Sequence, residues 1–95
     1  MSKPISIGNV LVQTFRENGL EKPLLERQLT ERWPQIMGPL VADLTRSIEV
    51  KNGELKVHIN SAALRNQLFE QRAELIRKIN EKMGAKVVEK VYILA

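Results

Sequence analysis

No cysteine occurs among the 95 residues of this chain. A disulfide scaffold, a thiolate zinc site, an iron–sulfur cluster and a thiol nucleophile are therefore excluded. Histidine and aspartate occur once each, as His58 and Asp43, too few for a catalytic triad or a typical transition-metal site. Neither G-x-x-x-x-G-K-S/T nor G-x-G-x-x-G is present, so no nucleotide-binding loop is visible. No run approaches the ~20 apolar residues of a membrane span. Gly8, Asn9 and Gln13 interrupt the N-terminal apolar run that a signal peptide would need. A cytoplasmic, non-enzymatic protein is expected, with no catalytic residue, no cofactor, no metal and no membrane partner.

What remains is an ordinary globular composition, 43% apolar and 27% charged, of a length that makes one domain over 1–95. Its net charge of +4 is unevenly distributed. Residues 1–45 balance five basic against five acidic side chains, whereas residues 46–95 carry ten Lys/Arg against six acids. A positive field confined to one half of a small domain points to a polyanion partner, although such a charge is also common on proteins that bind none.

Apolar spacing and breakers divide the chain into a helical part, 1–44, and a mixed part, 45–95. Ser6 is positioned to cap a first helix with Ile7, Val10, Leu11 and Phe15 on one face, ending at Asn18-Gly19. A second helix starts near Pro23 and carries Leu25, Leu29, Trp33, Ile36 and Met37. Pro34 places a break there, Gly38-Pro39 ends the segment, and Leu40 to Leu44 forms a short helical turn. Asn52-Gly53 suits a two-residue type I′ turn. That turn pairs Lys51 with Glu54, Val50 with Leu55, Glu49 with Lys56 and Ile48 with Val57, leaving His58 outward and opposite Ser47. Ser61 caps a further helical stretch. One straight helix to Gly84 would bring Arg72 into the apolar arc of Leu64, Leu68, Leu75, Ile79 and Met83, so a split into about 61–71 and 73–83 is expected. A last strand spans Lys86 to Leu94. The expected order is α-α-β-β-α-α-β, an α+β domain with a three-stranded sheet and its helices packed on one face. The exposed edge of such a sheet leaves a homodimer open.

The candidate nucleic-acid surface comprises Lys56, Arg65, Arg72, Arg77, Lys78, Lys82, Lys86 and Lys90. Lys78 and Lys82 are i,i+4 neighbours and Lys86 lies past Gly84, which makes either a phosphate-tracking stripe or a set of cations complementing a helix C-terminus. Tyr92 is the one stacking aromatic near this half, which favours backbone contact without sequence preference over base readout. Phe15 and Phe69 read as core. Trp33 is either a core anchor or a partner-facing hot spot beside Pro34.

The run Glu31-Arg32-Trp33-Pro34-Gln35-Ile36-Met37-Gly38-Pro39-Leu40-Val41-Ala42 resembles the W-P-x-I/V-V/M-G-P-x-x-A signature of DciA-like proteins. The resemblance continues through Gly53-Glu54-Leu55-Lys56-Val57, through Ser61-Ala62-Ala63-Leu64-Arg65-Asn66-Gln67-Leu68, and through Glu74-Leu75-Ile76-Arg77-Lys78-Ile79-Asn80 to Gly84. It implies a KH-like fold and a bacterial accessory protein that acts with the DnaB-type replicative helicase and assists its engagement with DNA. Ala73 stands where the family often has proline, at the expected helix break. Leu64 stands where members commonly have tryptophan, which makes it a candidate partner-facing position with Trp33 and Pro34. Many members extend into a basic tail, whereas this chain stops at Ala95. The G-x-x-G loop with which KH domains clamp a nucleic-acid backbone is missing, so the nucleic-acid contact expected here is weak, to single- or double-stranded DNA. A stand-alone RNA- or DNA-binding KH-like module is the competing reading.

Overall fold

The computed structural model describes residues 21–95. The first expected helix, from Ser6 to Gly19, lies outside the described residues. In chain order the described elements are α1 (Glu21–Glu31), α2 (Trp33–Met37), α3 (Pro39–Leu44), β1 (Thr45–Lys51), β2 (Glu54–Ile59), α4 (Ala62–Glu70), α5 (Arg72–Met83) and β3 (Lys90–Leu94). The domain is α+β, as expected, with a KH-like order.

The apolar spacing of the first two helices buries Leu25, Leu29, Trp33 and Ile36. The chain breaks between them at Arg32, so that Pro34 falls in the first turn of α2, where its missing N–H has no partner to lose. Gly38 joins α2 to α3 at φ 88°, a conformation that suits glycine.

The hairpin has the expected register, from Lys51↔Glu54 to Ile48↔Val57, with Ser47 opposite His58. Asn52 and Gly53 both have positive φ, 54° and 80°, as a type I′ turn requires. One departure matters. The register shifts between Thr45 and Ser47, so Arg46 is an extra residue in a β-bulge. Strict alternation would point Thr45 outward; the bulge turns it inward, where its Oγ1 accepts the Trp33 indole N–H at 3.0 Å and donates to the Val41 carbonyl at 2.6 Å.

The two C-terminal helices separate at Gln71, close to the expected split, and Leu64, Leu68, Leu75, Ile79 and Met83 are all buried. The Ser61 hydroxyl caps α4 by accepting the Leu64 N–H. Phe69 is a correction: it is 57% exposed, not core. It lies one position beyond the Leu64/Leu68 stripe, about 100° around the helix, and its ring carries the Arg72 guanidinium 4.3 Å from its centroid.

The last strand also departs from expectation, starting at Lys90 rather than Lys86. The Asn80 side chain explains the delay. Its Oδ1 accepts the N–H groups of Val87 and Val88 and its Nδ2 donates to the Val88 carbonyl, all at 2.9 Å. Three of the four backbone polar groups of 87–88 are thereby bonded to α5 rather than to a sheet neighbour. β3 then pairs parallel with β2, completing a mixed sheet of order β1-β2-β3. Leu55, Val57 and Ile59 point from the sheet into the core beneath the helices, while Glu54 and Lys56 face outward and are exposed.

Candidate nucleic-acid and partner interface

The eight cations singled out in the sequence do not form one surface. Arg77 is held between Glu74 and Glu81, at 2.6 and 2.9 Å, so its charge is locally compensated. Arg77 in turn holds the Glu74 carboxyl below its ordinary range, first by hydrogen bonding and then by its charge, and its own pKa is raised by the same pair. Arg65 donates to the Ile59 carbonyl at 2.5 Å. Lys82 reaches the Ile36 carbonyl at the end of α2 at 3.3 Å, while Arg32 crosses in the opposite direction to the Lys82 carbonyl at 3.3 Å. Lys86 lies 3.8 Å from Glu89. The stripe of Lys78, Lys82 and Lys86 is thus divided, with one member tying α5 to α2 and another beside an acid.

Lys56, Lys78 and Lys90 make none of these contacts, and Arg72 makes no ion pair but donates to the Phe69 carbonyl at 2.9 Å: among the described residues, ion pairs within 4 Å join Arg27 to Glu31, Arg77 to Glu74 and Glu81, and Lys86 to Glu89. Two of these four converge. Arg72 and Lys90 line an open groove of about 460 Å³ whose helix wall is completed by Ala73 and Ile76 and whose strand wall is Glu89, Lys90, Val91 and Tyr92. Consecutive strand residues point to opposite faces, so a groove lined by Lys90, Val91 and Tyr92 together runs along the edge of β3. Lys56 lies on the outer sheet face, opposite Tyr92 in the ladder.

The candidate partner-facing residues are redistributed as well. Trp33 is 3% exposed and Leu64 is 9% exposed. Both side chains belong to the core, Trp33 because the bulged Thr45 supplies a half-buried acceptor for its N–H. Of the three, Pro34 alone is exposed. The structure adds Leu40, 68% exposed on α3, six residues further along the same signature run. His58 faces outward but is half-buried, its Nδ1 3.0 Å from the Ala95 carbonyl. The described residues contain no group of three or more potential metal ligands, and no helix among them is long and apolar enough to cross a membrane.

Sequence reasoning missed Asn80. A poor helix former in the interior of an amphipathic helix was the available signal.

Comparison with known proteins agrees with the fold and the signature run. The family model described as Dna[CI] antecedent, DciA matches residues 6–93. A UPF0232 protein of Corynebacterium glutamicum (strain R) is 25% identical over 88 residues, covering 93% of this chain and 49% of that protein. The chain therefore spans about half the length of the curated relative it matches. With a match that covers nearly every residue from the first expected helix to the last strand, this chain belongs to the DciA family.

Proposed function

We propose that this chain is a non-enzymatic accessory protein of bacterial DNA replication, which docks on the DnaB-type replicative helicase and assists its engagement with DNA. The observation that carries this reading is the DciA family match over residues 6–93. The charge arrangement supports the manner of DNA contact. Cations without an ion pair among the described residues, Lys56, Arg72, Lys78 and Lys90 among them, are spread over a groove, a helix and a sheet face; they suit weak attraction to a phosphate backbone and give no convergent base-reading site. For helicase docking, the α2–α3 corner offers exposed Pro34 and Leu40, an apolar element at a backbone bend beside the buried Trp33.

The test is co-purification with the helicase of the same bacterium, with and without single-stranded DNA. Retention at micromolar concentrations, weakened by Leu40→Glu, is expected; no retention in either condition overturns the proposal. The second reading, a stand-alone nucleic-acid-binding module, draws on the groove that brings Arg72, Lys90 and Tyr92 together. It requires oligonucleotide binding in the absence of helicase, with a log–log salt slope near −0.7 per phosphate neutralised on single strands.

A further inference from the structure

The two edges of the sheet are differently protected. β1 carries the bulge at Arg46 and the charges of Glu49 and Lys51, devices that discourage edge-to-edge pairing. β3, Lys90-Val91-Tyr92-Ile93-Leu94, has no charge after its first residue, and Tyr92 and Leu94 are 39% and 38% exposed. No strand among the described residues pairs with the outer edge of β3, and we propose that two copies of this chain pair antiparallel through it, centred on Tyr92, to make a continuous six-stranded sheet.

The hydrogen-bonding polarity of β3 selects this register. The Lys90 N–H donates to the Gly53 carbonyl, so Lys90, Tyr92 and Leu94 bond inward to β2, and Val91 and Ile93 present their N–H and C=O groups at the open edge. An antiparallel partner must match outward residues to outward residues. Centring the two-fold on Tyr92 sets each Val91 opposite the partner's Ile93 and closes four hydrogen bonds. The two tyrosines meet as a non-hydrogen-bonded pair, the closer type, on the outer sheet face. Lys90 falls opposite the partner's Leu94, so no like charges oppose one another directly. On the helix side, the partner's Ile93 enters the groove against Val91, Ala73 and Ile76, which gives that apolar cleft an occupant. The contact is isologous and closed, as a C2 dimer requires.

A single pair of five-residue strands lies at the low end of stable interface sizes, about 1,200 Å² or less, so association is reversible and depends on concentration. Because each copy carries +4, added salt strengthens the dimer by screening, the reverse of its effect on nucleic-acid binding.

The chain's lack of cysteine permits a register-specific test. Across the proposed axis the Tyr92 Cα atoms are ~4.5 Å apart, within disulfide range, whereas the two Leu94 positions are separated by ~13 Å. Tyr92→Cys and Leu94→Cys are matched in exposure, and Trp33 fluorescence checks folding. Under mild oxidation, Tyr92→Cys is expected to form covalent dimer at least about tenfold faster than Leu94→Cys. Sedimentation of the unaltered chain is expected to show self-association that rises with salt and that Tyr92→Glu removes. Equal cross-linking rates, or a monomer at all concentrations up to about 1 mM, overturn the proposal. A monomer that instead binds an oligothymidylate through Tyr92 also overturns it, and assigns the edge to nucleic acid.

Discussion

Replacing Asn80 with alanine tests whether one side chain sets where β3 begins. Asn80 accepts from the N–H groups of Val87 and Val88 and donates to the Val88 carbonyl. The Val87 N–H has a second acceptor in the Ala85 carbonyl at 3.0 Å, so truncation leaves two orphans, the N–H and C=O of Val88, a residue with 0% exposure. An unsatisfied buried group costs about 1–3 kcal/mol. Alanine returns roughly 0.6 kcal/mol of helix propensity relative to asparagine. A net loss of about 3 kcal/mol results, from a domain whose total stability is on the order of 5–15 kcal/mol. Urea unfolding monitored by Trp33, the sole tryptophan and 3% exposed, measures it as a lowered midpoint at unchanged slope. Hydrogen exchange localises it, since the Val88 amide is expected to lose its protection while those of the β1–β2 hairpin keep theirs. A loss under about 1 kcal/mol, or a Val88 amide that stays protected, refutes the reasoning.

Thr45→Val removes the acceptor of the Trp33 indole N–H at a site isosteric with threonine; a loss of about 1–3 kcal/mol is expected in the same urea assay, and an unchanged midpoint counts against the bulge as a device for aiming Thr45. Glu74 and Arg77 make a pH prediction whose sign is fixed. A carboxyl held below its ordinary range contributes stability above the unfolded value, about pH 4.3, and loses it as pH falls through the lower folded value. Both side chains are exposed, so the stability change is small and the direct readout is the Glu74 titration by NMR, expected to shift upward in Arg77→Met; identical midpoints refute it. For nucleic acid, Arg72→Gln combined with Lys90→Gln is expected to weaken oligonucleotide binding several-fold and to lower the salt slope by one to two phosphate contacts. Arg77→Gln, already compensated by two glutamates, is expected to change neither.

The hairpin is readable in the sequence because its determinants are local: two positive-φ residues, alternation on both sides and opposite charges at matching positions. The break between α4 and α5 is readable for a similar reason, since one unbroken helix would carry Arg72 into the core. The start of β3 is not. Val87 and Val88 have strong strand propensity, but their hydrogen bonds go to a side chain seven and eight residues earlier, a contact no periodicity encodes. Among the cations, the compensation of Arg77 has a legible signal, with glutamates at i−3 and i+4, that its place in a basic half obscures. Arg65 and Lys82 are opaque in principle, because backbone carbonyls at the ends of β2 and α2 leave no trace in residue type. The partner-facing assignment of Trp33 and Leu64 turns on burial, which the bulge at Arg46 and the packing of α4 decide.

The architecture separates the two proposed contacts. α1 and α3 pack against β1, whereas α4 and α5 pack against β3. The exposed Pro34 and Leu40 of the α2–α3 corner therefore belong to the β1 side of the sheet, and the groove with Arg72 and Lys90 to the opposite edge, two strand spacings or roughly 10 Å away. The hydrogen bonds that tie α5 to α2, from Lys82 to the Ile36 carbonyl and from Arg32 to the Lys82 carbonyl, lie at the end of α5 away from Arg72. Energetic effects at sites so separated add. If helicase is held at the corner and DNA at the groove, Leu40→Glu reduces helicase retention without altering the DNA salt slope. The Arg72/Lys90 double variant does the reverse, and the combined variant shows the sum of the two losses in free energy. Strong coupling between them would mean that one partner spans both edges, which a single small domain permits only if that partner wraps around the sheet.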